Sequence, residues 1–223
     1  MEIKPPPPDN DGFLAGPYLQ NVTRNSIVVM WETHSGHPGL LEYGSDRTYG
    51  KSQTSLPGHT KAGSYIHKVK LEGLDTETVY YYRVTTNGSA TADARFRTAP
   101  AADTPFRFVV WGDNQLGVDT FQTLVGRMAD YSPDLLLSVG DLVQRGSDYP
   151  QWRDQYFDPI RETANRIPVF AAPGNHDYLD RDNYWFAQYF SAPGHGHYFS
   201  FDYGNSHFIF VDNCDAHTRY GYR

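Results

Sequence analysis

The 223-residue chain contains a single cysteine, Cys214, so no intrachain disulfide can form. Cys214 reads as a plain thiol near a strand end, and cysteine usage identifies no redox compartment. No apolar run approaches the roughly 18 residues of a membrane span. The opening Met1-Glu2-Ile3-Lys4-Pro5-Pro6-Pro7-Pro8 lacks the apolar stretch of a signal peptide. Two expectations stay open: an intracellular protein, or a chain that begins after a removed leader. Positive charge is also in deficit. Nineteen Lys and Arg against 26 Asp and Glu give a formal net charge of −7, which argues against a nucleic-acid footprint. An anionic substrate is not excluded, because bound metal ions would set the local field. What is present suffices for a core: 39% of residues are hydrophobic and 15% aromatic. The length fits one large or two small domains.

The pattern changes class along the chain. Residues 1–15 read as a proline-rich tail, with Pro5 to Pro8 favouring polyproline II. Residues 16–98 are all-β in pattern. Ile27, Val29 and Trp31 alternate with Val28 and Met30; His67, Val69 and Leu71 with Lys68 and Lys70; Tyr80, Tyr82 and Val84 with Tyr81 and Arg83. Period-2 runs broken by Gly, Asn and Ser predict a β-sandwich. Trp31 sits where a sandwich buries a strand Trp, and Tyr80 is placed as a tyrosine corner after Leu74-Asp75. His34, His37, His59 and His67 read as surface residues of this domain. Residues 99–105 form a linker.

Residues 106–223 form the second domain. Phe106 to Trp111, Leu135 to Val139 and Ile167 to Ala172 are apolar runs of the kind that mark strands covered on both faces. Between the first two, Phe121, Leu124, Val125, Met128 and Ala129 fall at helical spacing, with Asp119 as N-cap. Another helix is expected within Tyr149 to Ala164. Strand, helix, strand, helix, strand predicts a parallel sheet with right-handed crossovers. Residues 197–211 read as a hairpin with a Gly204-Asn205 turn. The expected fold class is therefore an N-terminal all-β sandwich followed by an α/β domain, a β-α-β-α-β core plus hairpin.

Three strings follow directly on the three buried runs: Gly112-Asp113-Asn114-Gln115, Gly140-Asp141-Leu142-Val143 and Gly174-Asn175-His176-Asp177. Ligands of open α/β sheets bind outside the carboxyl ends of the strands. The spacing therefore gathers Asp113, Asp141 and Asn175 at one rim as candidate metal ligands. Carboxylate and amide oxygens suit hard or borderline cations such as Mn²⁺, Fe and Zn²⁺. Paired ions clamp both oxygens of a phosphoryl displacement and activate a water, so no Ser or Cys nucleophile is needed. His176 is placed to protonate a leaving group or steady transition-state charge, with Asp177 expected to orient its imidazole.

These three strings resemble the first three motifs of the calcineurin-like metallophosphoesterases. With a fibronectin type III-like domain in front, the chain is most similar to the purple acid phosphatases and their bacterial relatives, over roughly residues 16 to 213. The resemblance implies hydrolysis of phosphoric esters, a small phosphorylated substrate, and a hydroxide held between two divalent or trivalent metal ions (Fe, Zn or Mn). It assigns Asp113 to the first metal, Asp141 to a bridge, Asn175 to the second metal and His176 as outer-sphere acid, and it suggests a secreted or periplasmic location. The family draws further histidine ligands from later motifs. Only twelve residues follow Val211, so those motifs are expected to be absent and the chain to be the N-terminal part of a longer enzyme. Gly194-His195-Gly196-His197 matches one of them literally but precedes the hairpin, and reads as a glycine-rich loop. His207 reads as a core or sheet-surface histidine, and little supports His217 as a ligand. Gln144 stands where the family's metal-binding tyrosine would be, and Gln115 where many relatives carry a histidine ligand. Arg145 reads as a solvated arginine, with a phosphate contact as the alternative. A non-catalytic binding or adhesion protein with a degenerate metal site is the competing function.

Overall fold

The computed structural model describes residues 12–178, 184–194 and 198–214. The proline run, the histidines of the Gly194–His197 string and His217 lie outside them.

Nine strands build the first part: β1 (Phe13–Gln20), β2 (Ser26–Thr33), β3 (Gly39–Gly44), β4 (Lys51–Ser55), β5 (Gly58–His59), β6 (Tyr65–Glu72), β7 (Val79–Thr86), β8 (Ser89–Ala90) and β9 (Ala94–Arg97). One antiparallel sheet has the order β1-β2-β6-β5, the other β4-β3-β7-β8, with β9 also paired to β7. Side chains of period 2 fill the space between them, as the alternation predicts. Ile27, Val29 and Trp31 of β2 and Val69 and Leu71 of β6 meet Leu41, Tyr82, Val84 and Phe96 of the facing sheet. Tyr80 makes the expected corner: its hydroxyl accepts the Asp75 N–H at 2.9 Å.

Two expectations are corrected here. The first strand begins at Phe13 inside the segment read as tail, because Phe13, Leu14 and Ala15 are all buried. His67 is buried, not at the surface. It stacks on Trp31 with ring centroids 4.6 Å apart and shares a 3.1 Å hydrogen bond between Nε2 and the Thr33 hydroxyl. Burial pushes its pKa down to about 4.

The second part contains β10 (Phe108–Trp111), α1 (Val118–Asp130), β11 (Leu135–Ser138), α2 (Tyr149–Gln151), a π-helical stretch (Trp152–Phe157), α3 (Asp158–Ala164), β12 (Val169–Ala171), α4 (Tyr184–Tyr189), β13 (Phe199–Tyr203) and β14 (Ser206–Phe210). The sheet β10-β11-β12 is parallel, and β13 and β14 form the antiparallel hairpin. The hairpin turns its apolar side to the parallel sheet, where Phe201 stacks on Phe170 at 3.8 Å. Helix α1 buries Phe121, Val125 and Met128, and its N-cap is Gly117 instead of Asp119. The Gly117 carbonyl accepts the Phe121 N–H at 2.7 Å, which leaves Asp119 inside the first turn.

The first strand of this sheet is not covered on both faces. Phe108 and Val110, which share one face of β10, are 47% and 52% exposed, and β10 lies at the sheet edge with nothing paired to its outer side among the described residues. Val139, Ile209 and Val211 are exposed as well.

Strand β2 shows how the two parts are joined. All eight of its residues are buried. Val28 and Met30 point away from the sandwich core and, with Tyr18, pack in one cluster with Trp152, Tyr156 and Phe157. Glu32 lies in this seam. Its carboxylate accepts hydrogen bonds from Ser64, from Tyr149 at 2.9 Å and from Tyr189 at 2.9 Å. Burial raises its pKa, while the Ser64 and tyrosine hydroxyls pull the other way. No helix among the described residues is long and apolar enough to cross a membrane.

Candidate functional site

The three strings leave adjacent parallel strands at their carboxyl ends, and backbone hydrogen bonds tie their exits together. Val139 N–H donates to Trp111 O at 2.8 Å, Asp113 N–H to Gly140 O at 3.1 Å, and Ala172 N–H to Ser138 O at 3.0 Å. Asp113 and Asp141 both take left-handed backbone angles, φ 56° and 57°, which Asp tolerates better than most residues. Such positions store about 1 kcal/mol or more each and cluster at functional sites. Gly140, at φ 105°, lets the second exit turn against the third. Gly174 is required by contact: a Cβ there would overlap the Asp141 carboxylate and backbone N.

Asp141 and His176 are brought together directly, with the His176 N–H donating to Asp141 Oδ1 at 2.9 Å. Asp141 is nearly buried, while Asp113 and Asn175 are exposed at the same rim and His176 is half-buried. The imidazole Nδ1 lies 2.9 Å from the Gln144 carbonyl. A carbonyl only accepts, so Nδ1 carries the proton and Nε2 is the atom left for chemistry.

Asp177 does not orient that imidazole. Its carboxylate is fully buried and accepts four backbone N–H groups: Asp141 at 2.9 Å, Leu142 at 3.1 Å, Val143 at 3.3 Å and Gly174 at 2.8 Å. It staples the second string to the third, which leaves the Gln144 carbonyl to hold the ring. Burial pushes Asp177 up to about 7, against the Gly174 and Val143 N–H groups, which pull it down; the neighbouring Asp141 adds to the rise.

Asn114 was not singled out in the sequence. Buried at the first exit, it accepts the Trp111 indole N–H at 3.1 Å and donates to the Leu142 carbonyl at 2.9 Å, so it ties the first loop to the second. Its signal was available only as an amide inside a string already read for its aspartate. The end of β14 reaches the same rim: Tyr178 donates to Asp212 at 2.7 Å, and the buried Cys214 thiol lies 3.8 Å from Pro173 O. Burial pushes that thiol up to about 11. His207 is a sheet-surface residue, with Nδ1 2.6 Å from Asp202 across the hairpin.

The donor chemistry fits an oxygen-held ion but is sparse. Asp113 and Asp141 supply carboxylates and Asn175 an amide oxygen, and the Oε1 atoms of Gln115 and Gln144 are buried without a partner. No group of three or more His, Cys, Asp or Glu side chains capable of holding a metal ion occurs among the described residues.

Comparison with known proteins identifies the family and the fold. The calcineurin-like phosphoesterase family matches residues 106–220, and the purple acid phosphatase N-terminal domain matches residues 17–98. Purple acid phosphatase 15 of Arabidopsis thaliana is 27% identical over 191 residues, covering 69% of this chain and 36% of the relative. Purple acid phosphatase 23 of the same plant is 27% identical over 221 residues, covering 82% of this chain and 48% of the relative. The structure of purple acid phosphatase PPD1 from yellow lupin (Lupinus luteus) seeds superposes with a TM-score of 0.71 at 20% identity, over 86% of this chain and 43% of that one. The chain thus spans less than half the length of these relatives. The PhoD structure superposes with a TM-score of 0.67 at 16% identity, over 93% of this chain and 53% of that one. The chain belongs to the calcineurin-like phosphoesterases and is a purple acid phosphatase-like protein, in which the purple acid phosphatase N-terminal domain precedes the phosphoesterase segment.

Proposed function

We propose that the rim formed by Asp113, Asp141, Asn175 and His176 serves metal-dependent hydrolysis of phosphoric monoesters. One observation carries the reading: the three strings converge at neighbouring strand ends, with Asp141 bonded to the His176 backbone. Asp113 and Asn175 would each hold one ion and Asp141 would hold both, with Fe, Zn or Mn as the metal class. Such ions polarise a phosphoryl group and activate water near neutral pH. His176 supplies the proton. Its Nδ1–H is fixed on the Gln144 carbonyl, so Nε2 delivers the proton to the departing alcohol oxygen when the ring is charged. Asp177 acts by position alone, holding the loop that carries Asp141 against the loop that carries His176.

Turnover of p-nitrophenyl phosphate with added Mn²⁺, Zn²⁺ or Fe tests the reading. Activity of residues 1–223 is expected to be low. What there is should vanish on chelation and in Asp141→Asn, and fall about 100-fold or more in His176→Ala, the usual worth of a general acid. Turnover that survives both chelation and Asp141→Asn would overturn it.

A second reading is a binding protein with a degenerate site. It is favoured by the sparse donor set among the described residues. It predicts no metal-dependent turnover at any metal concentration.

A further inference from the structure

A second feature lies away from this rim. Arg47 and Asp93 from the loops of the sandwich, Tyr81 of β7, Arg95 of β9 and Arg166 beyond α3 line a cavity of about 320 Å³. A neighbouring cavity of about 370 Å³ shares Arg95 and Arg166 and runs on past Arg97 and Glu162. Together they form a crease at the seam between the sandwich and the α/β part. The two sides are tied beside it by Tyr82, whose hydroxyl donates to the Asn165 carbonyl at 2.8 Å, one residue before Arg166.

The charge in this crease runs against the rest of the molecule. Three guanidinium groups face one lining carboxylate in the first cavity, on a chain of net charge −7. Asp93 is already engaged: it lies 3.2 Å from Arg47 Nε and accepts the Tyr49 hydroxyl. Arg47 is further steadied over the Tyr81 ring, 5.6 Å from its centroid. Among the described residues the Arg166 side chain pairs only with Glu162, in a long, exposed contact at 3.5 Å. Arg95 has no hydrogen-bond or ion-pair partner among the described residues. Its neighbour along the same face, Arg97, is by contrast paired to Glu77 at 2.8 Å. Two guanidinium groups thus line one small concavity, where the nearby carboxylates are Asp93, already engaged, and the exposed Glu162. Planar forks match oxyanions in bidentate fashion, and the volume is at the lower end of small-ligand clefts, about 300–1,000 Å³. Arg166 precedes β12, whereas Asn175 follows it, so crease and rim lie at opposite ends of the parallel sheet.

We propose that this crease binds a compact oxyanion of two or more negative charges, a phosphate or a small phosphate ester, at a site separate from the candidate metal centre. Arg95 and Arg166 supply the forks, with Arg47 at the rim of the cavity. The site requires no metal and holds whether or not the phosphoesterase reading does.

Calorimetric titration of residues 1–223 with pyrophosphate, and separately with inorganic phosphate, tests this. It is done at low salt with a chelator present. One anion per chain is expected, with pyrophosphate the tighter ligand. Binding should weaken as salt rises and drop about tenfold or more in Arg95→Gln/Arg166→Gln. Asp141→Asn should bind as the parent does, which separates this crease from the rim. Thermal denaturation of the double variant should nearly match the parent, since among the described residues Arg95 makes no side-chain bond and Arg166 makes only the exposed 3.5 Å contact to Glu162. Absence of binding, or binding that the double variant leaves unchanged, would overturn the proposal. A loss on Asp141→Asn would do so too, because it would place the anion at the metal rim.

Discussion

Asp177 accepts four backbone N–H groups from two loops, and an asparagine amide can accept only on one side. Asp177→Asn turns an NH₂ toward the remaining N–H donors and leaves them unsatisfied. It should cost about 3 kcal/mol of stability, read by urea denaturation, and loosen Asp141 with it. An unchanged midpoint would show that the staple is dispensable. His67 gives a pH dependence of definite sign. Its folded pKa of about 4 lies below the ordinary 6.5, so between these values the unfolded chain holds a proton that the folded one does not. Stability is therefore complete above pH 6.5 and falls as pH drops toward 4, by at most about 3 kcal/mol from this group. His67→Phe keeps a ring against Trp31, and its denaturation midpoints at pH 4.5 and 7 should differ less than those of the parent. Comparing the two isolates this group from Glu32, whose raised pKa slopes stability the other way. These residues also mark where sequence reading stops. Alternation put His67 in phase with the inward Val69 and Leu71, yet a lone histidine gives no sign of whether a Trp31 ring waits for it. Asp177 was legible as important but misread in role, because which hydrogen bonds a buried carboxylate makes depends on loops far apart in sequence.

At the scale of elements, period and punctuation were the readable part. The sandwich strands, the three parallel strands, helix α1 and the Gly204-Asn205 hairpin all follow from apolar spacing and turn residues. So does the Tyr80 corner, whose 2.9 Å bond to Asp75 should be worth about 1 kcal/mol in Tyr80→Phe. Docking between elements was not readable. Alternation separates Val28 and Met30 from the inward Ile27, Val29 and Trp31 but does not say what they meet; Val28, Met30 and Glu32 are covered by the α/β part. Glu32 makes that seam specific by accepting hydroxyls from Ser64, Tyr149 and Tyr189. Glu32→Ala orphans all three and should cost about 3 kcal/mol, while Glu32→Gln keeps an acceptor and should cost about 1 kcal/mol. A chemical denaturation series on the two variants checks the order. Equal losses would mean that packing, not the carboxylate, holds the seam. The exposed side of β10 shows the converse, since an apolar run predicts cover for Phe108 and Val110 that the described residues do not supply.

For the whole molecule, fold and family are secure while chemistry depends on how many donors the rim gathers. The chain spans less than half the length of the curated purple acid phosphatases it matches. Among its described residues the rim carries the Asp113 and Asp141 carboxylates, the Asn175 amide and His176, but no group of three or more acidic, histidine or cysteine side chains is placed to hold an ion. Hard cations prefer such oxygens, but a tightly held pair of ions needs more of them. A Mn²⁺ titration of residues 1–223, followed by calorimetry and by metal content after dialysis, tests this most directly. If Asp113, Asp141 and Asn175 form a sparse oxygen site, binding will be weak, will retain fewer than two ions per chain, and will disappear in Asp141→Asn. Two ions held through dialysis, or binding unchanged in Asp141→Asn, would contradict it.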